Sequence, residues 1–260
     1  MAVVAICSVR SCAVTTLACG LAMAWPGEGR RLLVEADPAG GTLCALAGLA
    51  PEPGLVSLAA AGRRGTEPSL AFEHAQLLPG ATPVVCAPPG AVRARQALSM
   101  LAGLFGRLGE LDAEVLIDCG RLDQAPTSAL VFEQADLAMV ACRPRLSDLS
   151  ALRAFFDERA EGSRPVLVVL VGDGPYRAKE VEEALGVSVA GQLPFDPEAA
   201  AAIGTMAVSS RRLTRTPLVR AMRTLAETLA GRLTHAASDR PVSSSMAASG
   251  NGRVISEGPL

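Results

Sequence analysis

The first 25 residues constrain the fold more than any other part of this 260-residue chain. Residues 2–8 form a short apolar run rich in β-branched side chains, which is typical of a parallel strand covered on both faces. A tight loop follows and ends in Thr15 and Thr16, and an apolar helix is predicted from about residue 14 to residue 25. This order places the first helical N–H groups at the carboxyl end of the strand, where a phosphate group is stabilised.

The loop itself lacks the residues that a phosphate-binding loop needs. Residues 9–16 read VRSCAVTT, with no glycine to supply positive φ angles and no lysine before the Ser/Thr position. Val14 stands in the place of that lysine. The chain has one lysine, Lys179, but a bias toward arginine does not explain Val14, because it would put arginine there. The sequence therefore predicts that the β/γ-phosphate contact is lost or comes from elsewhere, and Arg10 is the only cation in the loop.

Two acidic residues follow predicted strands and are expected beside this loop. Asp37 comes after the strand predicted at 31–36, and Asp118 ends the strand predicted at 114–118. The carboxyl ends of neighbouring parallel strands face one crevice. A carboxylate in that place can hold a magnesium-bound water. An alternative role for Asp37 is to form the turn before Pro38.

Apolar runs alternate with helical patterns along the chain, which predicts an α/β fold. The expected architecture is a doubly wound, mostly parallel seven-stranded sheet in a single P-loop NTPase-like domain at residues 1–234. Residues 235–260 are rich in Ser, Gly, Ala and Pro, and are predicted to be a disordered tail. The seven strands are predicted at residues 2–8, 31–36, 83–87, 114–118, 136–142, 165–171 and 187–193.

Four further segments carry predictions about helices and surface. Residues 51–69 are rich in Pro, Gly and Arg, and we interpret them as a surface excursion that offers a partner-binding edge. Helices are predicted at 91–109 and at 125–134. The last helix, at 217–233, has an apolar stripe that favours core packing, with an amphipathic membrane-contacting helix as the alternative.

The bulk composition argues against several kinds of partner. The net charge is -2 and the pI is about 5.8, so the global charge does not support nucleic-acid binding. No apolar run is long enough to span a membrane, so we expect peripheral membrane association at most. The seven cysteines lie mostly in apolar runs without a C-x-x-C pair, which favours buried thiols in a reducing cytoplasm over a metal site. The alternative is a local basic patch at Arg211, Arg212, Arg215, Arg220 and Arg223, although five arginines near a helix are more often a solvated face.

Together these pieces resemble the ParA/MinD-like P-loop ATPases, the deviant Walker-A family, over roughly residues 2–233. The chain departs from the family pattern at Val14, in its glycine-free loop, and at Glu35, which replaces the usual first Asp. The residues that carry the resemblance are Thr15-Thr16 with the first helix, EADPAGG at 35–41, VLID at 115–118, Ala135-Asp136, Arg143-Pro144, and LPFD at 193–196.

The resemblance implies ATP and Mg²⁺ as cofactors and assigns roles to individual residues. It implies that Asp37 and Asp118 are the catalytic acids, and that Thr15 and Asp118 bind the metal. It places Arg10 nearest the family's signature lysine, which reaches across a nucleotide-bound homodimer. It implies nucleotide contacts from Arg10, Ser11, Cys12, Ala13, Val14, Thr15, Thr16, Pro194 and Asp196.

Three functions follow as hypotheses. The first is a MinD/ParA-like ATPase for spatial organisation, in chromosome partitioning, septum-site or envelope-machine positioning, with hydrolysis impaired by the altered loop. The second is a nucleotide-independent pseudo-ATPase scaffold that localises a partner complex, such as pilus or secretion assembly. The third, a dinucleotide-dependent enzyme, is disfavoured because the first loop has no G-x-G-x-x-G. Whether the protein hydrolyses ATP stays open at this stage.

Overall fold

One eight-stranded sheet runs through the computed structural model, which describes residues 1–122, 131–159, 166–205 and 213–238. Its spatial order is β3-β4-β2-β5-β1-β6-β7-β8, and all neighbouring pairs are parallel except β3 with β4. The strands are β1 (Val3–Ser8), β2 (Arg31–Glu35), β3 (Gln76–Leu77), β4 (Pro83–Val85), β5 (Glu114–Arg121), β6 (Leu137–Cys142), β7 (Val166–Val171) and β8 (Ser188–Leu193).

The sequence-based prediction of a doubly wound, mostly parallel sheet is confirmed. All seven predicted strands are present, and β3 is an eighth, antiparallel strand at the edge of the sheet. The sequence gave no sign of β3, because a strand of two residues is too short to show a periodic pattern.

Helices cover both faces of this sheet. Short 3₁₀ turns occur at Leu108–Glu110 and Leu213–Arg215, and residues 131–134 are helical. The helices are α1 (Val14–Ala24), α2 (Leu43–Ala47), α3 (Leu55–Gly62), α4 (Leu70–Glu73), α5 (Ala91–Met100), α6 (Ala102–Phe105), α7 (Leu146–Asp157), α8 (Ala178–Leu185), α9 (Pro197–Gly204) and α10 (Pro217–Ser238).

Strand β1 shows how the sheet divides the core into two layers. Every residue of β1 is buried, and successive side chains of a strand point to opposite faces. Val4 and Ile6 join the apolar cluster that contains α1 and α10, whereas Ala5 and Cys7 join the cluster that contains α3 and α5. Residues of β1 that face α1, including Ser8, therefore point toward the start of that helix.

Two segments differ from the sequence-based predictions. Residues 51–69 are not simply a surface excursion, because they contain α3, whose Leu55 and Leu58 are buried in the core. The helix predicted at 91–109 is divided at Leu101, whose ψ angle of 3° separates α5 from α6. Glycines at 103 and 106 follow the break and weaken the helix there.

The last helix packs as predicted but is longer. Its apolar stripe, including Leu218, Met222 and Leu225, is buried, which confirms the core-facing interpretation. It continues to Ser238, so the first residues of the predicted tail are helical, while 239–260 lie outside the described residues. The same is true of most of the helix predicted at 125–134. In the parts of the chain that the structure describes, no helix has the length and apolar character needed to cross a membrane.

Glu35, at the end of β2, ties three segments of backbone together. Its side chain is 1% exposed, and Oε1 accepts hydrogen bonds from the N–H groups of Thr42 (2.7 Å) and Leu43 (3.0 Å). Oε2 accepts one from the N–H of Ala87 (3.0 Å), just after β4. A Cβ atom at Gly41 would overlap this carboxylate. Glu35 therefore holds the start of α2 and the end of β4 against the sheet.

We expect Glu35→Ala to lower the free energy of unfolding by about 3 kcal/mol or more, because three N–H groups, two of them at the buried residues Leu43 and Ala87, lose their acceptor. Urea denaturation measures this change. The matched control is Glu28→Ala, at an exposed turn residue, which should shift stability by no more than about 0.5 kcal/mol. An equally small effect at Glu35 would contradict its structural role.

Candidate functional site

Two adjoining clefts lie at the carboxyl ends of the strands, around the start of α1. The first, of about 330 Å³, is formed by the loop after β1 and by residues that follow β2 and end β5. The second, of about 290 Å³, is formed by residues after β6, β7 and β8. Ala13 and Thr16 line both, so the clefts meet at the first turn of α1. The first cleft is lined by Ser8, Ser11, Cys12, Ala13, Val14, Thr15, Thr16, Asp37, Ala39, Gly120 and Arg121.

The loop after β1 makes a left-handed turn without glycine. Ala13 has φ 46° and ψ 28°, and its carbonyl accepts the first helical hydrogen bond, from Leu17 N–H at 2.9 Å. A non-glycine residue in this conformation costs roughly 1–2 kcal/mol. A left-handed residue beside right-handed ones is the backbone pattern of many anion-binding concavities. The loop therefore contains one left-handed residue of that kind, and Ala13 is strained by this conformation.

Arg143 braces this loop from the side of the second cleft. Its Nη1 donates a hydrogen bond to the carbonyl of Ser11 at 3.0 Å. Because the C=O and N–H of a trans peptide point in opposite directions, the N–H of Cys12 points away from Arg143. Arg143 also lines the second cleft, so one side chain contacts the loop and borders the neighbouring cleft.

Asp118 is buried with half of its carboxylate unpaired. Its exposure is 0%, Oδ1 accepts a hydrogen bond from the N–H of Gly120 at 2.9 Å, and Oδ2 has no hydrogen-bond partner within the described ranges. Burial raises the pKa of this carboxyl to about 7. Thr15 and the Gly120 N–H oppose the rise in pKa, whereas the charges of Glu35 and Asp37 add to it. A free, buried carboxylate oxygen in this place is a ready partner for a cation.

Asp37 is close enough for its charge to act on Asp118, and one of its carboxylate oxygens accepts a backbone hydrogen bond. Its Oδ1 accepts a hydrogen bond from Ala39 N–H at 2.7 Å, which confirms that it forms the turn after β2. Its carboxylate packs against Gly120, which has φ +62° and has no room for a Cβ atom there. Burial raises the pKa of Asp37, and the positive charge of Arg121 lowers it. Asp37 therefore serves the turn and lines the first cleft.

No protein-family sequence model matches this chain, and no curated protein matches its sequence significantly. Solved structures do match. A ParA family ATPase from Chlorobium tepidum TLS superposes with a TM-score of 0.73 at 16% identity, covering 88% of this chain and 98% of that one. The septum site-determining protein MinD complexed with Mg-ADP, from Pyrococcus horikoshii OT3, gives 0.65 at 20% identity, covering 89% and 98%. MinD in the MinC:MinD complex of Aquifex aeolicus gives 0.58 at 16%, covering 89% and 96%.

The chain has a ParA/MinD-like fold. These matches confirm the resemblance at the level of the fold. At identities of 16–20% these matches concern the fold and not the loop after β1.

Within this ParA/MinD-like fold, most of the predicted site residues converge. Residues 11–16 and Asp37 line the first cleft, and Asp118 is buried beside Thr15. Pro194 and Asp196 line the second cleft. Asp196 has a structural task as well, because its Oδ1 caps α9 by accepting the N–H of Ala199 at 3.0 Å.

Arg10 lies outside both clefts, and Val14 borders the first cleft as a core residue. Arg10 is 60% exposed, its Nε lies 3.9 Å from Asp148 Oδ1, and it lines neither of the two clefts. Val14 is 6% exposed and packs in the apolar cluster of α1. The position of the missing lysine is thus part of the core, and the loop's one arginine points to α7.

Three arginines that border the clefts were not predicted as site residues. Arg121 lines the first cleft, and Arg143 and Arg145 line the second. Phe195, 75% exposed, lies at the edge of the second cleft. The sequence feature that could have indicated Arg121 and Arg143 is their position along the chain. Each comes at or just after the carboxyl end of a strand.

The donor set fits a hydrated Mg²⁺ held together with phosphate. Thr15 offers a hydroxyl, Asp118 an unpaired carboxylate oxygen, and Ser8 a buried hydroxyl that has no hydrogen-bond partner in the described ranges. Oxygen ligands suit Mg²⁺, which binds through one or two carboxylates plus phosphates and water. In the part of the chain that the structure describes, no three His, Cys, Asp or Glu side chains form a metal cage. A metal here would therefore depend on ligands from a bound nucleotide.

We expect Asp118→Asn to stabilise the protein near neutral pH. The folded-state pKa of about 7 lies above the ordinary value of 3.8, so the contribution of Asp118 to stability is present below pH 3.8 and is lost as the pH rises through 7. Asparagine keeps an acceptor for Gly120 N–H without the charge. The gain should be on the order of 2–4 kcal/mol at pH 7–8 and should shrink toward pH 4. Thermal or urea unfolding across this pH range checks it, and a pH-independent difference would contradict it.

A second substitution tests the strain in the loop. We expect Ala13→Gly to leave stability unchanged or raise it by up to about 1 kcal/mol, because glycine adopts the left-handed conformation freely. The control is Ala201→Gly, in the exposed middle of α9, which should cost about 0.5–1 kcal/mol. Equal losses at both positions, measured by urea unfolding, would show that Ala13 is not strained.

Proposed function

We propose that this protein binds ATP and Mg²⁺ in the joined clefts, hydrolyses ATP poorly, and acts as a ParA/MinD-like organiser of a larger cellular structure. The observation that carries the proposal is the unpaired, fully buried oxygen of Asp118 beside Thr15, at the start of α1. A buried carboxylate with a raised pKa lowers stability, so its position beside a cleft points to a ligand. Mg²⁺ bound with phosphate supplies the missing positive charge.

In this proposal one nucleotide spans both clefts, with its phosphates in the first and its base in the second. The start of α1 offers free N–H groups and the positive end of the helix dipole to phosphates in the first cleft. The second cleft, with Leu193, Pro194 and Phe195 on its wall, offers an apolar surface to the base. In this assignment Thr15 and Asp118 hold the metal, and Asp37 faces the phosphates.

Poor hydrolysis follows from the charges and from the engagement of Asp37. Phosphoryl transfer relies almost entirely on positioning and charge stabilisation. The loop has no lysine, only one residue makes a left-handed turn, and Asp37 Oδ1 already accepts the N–H of Ala39. We therefore expect binding to survive better than catalysis.

The role of an organiser is supported by the structural neighbours. They include a ParA family ATPase, the septum site-determining protein MinD, and MinD in complex with MinC. By this analogy the chain forms a homodimer in the cytoplasm and binds a protein partner, in chromosome partitioning, septum-site selection or positioning of an envelope machine. The net charge of -2 does not favour nucleic acid as that partner.

The test is calorimetric titration with ATP and ADP, with and without Mg²⁺, together with sedimentation to determine the oligomeric state. We expect Mg²⁺-dependent ATP binding with a Kd between about 10 μM and 1 mM, and a turnover far below the roughly 1–10³ s⁻¹ of ordinary enzymes. Asp118→Asn should abolish the effect of Mg²⁺. Asp112→Asn, at an exposed acid outside both clefts, should not.

Two results would overturn parts of the proposal. Absence of ATP binding, with a constant oligomeric state, would favour the nucleotide-independent scaffold that localises a partner complex. Turnover at ordinary enzymatic rates, lost in Asp118→Ala, would show an active ATPase and contradict the impaired hydrolysis.

A further inference from the structure

The first cleft needs a positive charge that its loop cannot supply. The lysine position is Val14, whose uncharged side chain is 6% exposed and packs in the apolar cluster of α1 at the edge of the cleft. Asp37 lines the cleft and Asp118 lies buried beside it, so the local charge opposes a phosphate. A nucleotide bound there requires a cationic side chain from another element.

Arg121 is the one cationic side chain that lines the first cleft within the described residues. Two other arginines contact different groups and do not line the first cleft. Arg10 lies beside Asp148, and Arg143 donates a hydrogen bond to the carbonyl of Ser11. Arg121 is exposed, so its guanidinium is free to reorient toward a ligand.

The backbone at the end of β5 is built to place Arg121 there. The pairing of β1 with β5 runs in register to Ile6 opposite Asp118 and then shifts, so that Ser8 lies opposite Arg121. One extra residue on β5 is absorbed where Gly120 takes φ +62°. Leu122 N–H then donates to the Ser8 carbonyl at 2.8 Å, which closes the bulge. Arg121 thus lies beside the last residue before the loop.

The hydroxyl of Ser8 indicates a ligand at this point, because it is 1% exposed, lines the cleft, and has no hydrogen-bond partner in the ranges described. Arg121 and Asp37 line the same cleft, and the positive charge of Arg121 lowers the pKa of Asp37. A polyphosphate would present a denser negative charge to the same guanidinium.

We propose that Arg121, presented by the bulge at the end of β5, supplies the positive charge toward phosphate that the loop after β1 lacks. This inference rests on the proposed nucleotide binding. A guanidinium suits the task because its planar array of donors can bind two phosphate oxygens at once. In this proposal the cationic side chain that contacts phosphate comes from the end of β5 and not from the start of α1.

The experiment compares Arg121→Ala with wild type by calorimetric titration with ATP, ADP and adenosine in the presence of Mg²⁺. We expect ATP and ADP affinities to fall about 10- to 100-fold, as for the loss of a charge-assisted hydrogen bond, while adenosine affinity stays unchanged. Arg121→Lys should retain part of the affinity. The matched control is Arg232→Ala, at an exposed arginine on α10 outside both clefts, which should bind like wild type.

The outcomes separate this inference from the proposed function. Wild-type protein that binds ATP, with Arg121→Ala unchanged, overturns the inference alone. If Arg10→Ala loses ATP affinity and Arg121→Ala does not, the inference is also overturned, and Arg10 in the loop is the residue that supplies the charge. Wild-type protein that binds no ATP overturns both. Arg121→Gln, which keeps a polar side chain without the charge, gives the same comparison if the alanine variant does not fold.

Discussion

The arrangement around α1 depends on carboxylates that are buried side by side. Glu35 and Asp118 lie opposite each other on adjacent strands, burial raises the pKa of both, and the charge of Glu35 further raises that of Asp118. Glu35 is compensated by three backbone N–H groups and holds the fold, whereas Asp118 has only one and keeps an oxygen free. The carboxylate of Glu35 is thus satisfied by backbone N–H groups, whereas that of Asp118 keeps one oxygen available for the metal that we propose.

The parts of the fold that follow from local pattern were predictable. Apolar runs gave the seven parallel strands, and parallel strands that end at one edge brought Asp37 and Asp118 together. Features that depend on tertiary contacts were not. The left-handed Ala13, the burial of α3, and the pairing of Arg10 with Asp148 have no periodic signature. Arg121 was missed for the same reason, because its position is set by a bulge between β1 and β5.

The residues that stabilise the fold are largely different from those that line the clefts. The two apolar clusters on either face of the sheet involve residues far from the loop, and Val14 itself contributes to one of them. Val14 therefore stabilises the core and offers no charge to the cleft beside it. Core residues and cleft residues can thus differ independently, which is consistent with a ParA/MinD-like architecture in a chain only 15–20% identical to three of the matching structures.

The contact between Gly120 and Asp37 has a consequence for the history of the site. The carboxylate of Asp37 occupies the volume that any side chain at position 120 would need, and the φ of +62° disfavours every residue but glycine. A larger residue at 120 is therefore compatible only with a smaller or displaced residue at 37 and with a straightened β5. In related chains these two positions should change together, and the arginine beside them should be kept or lost as part of the same unit.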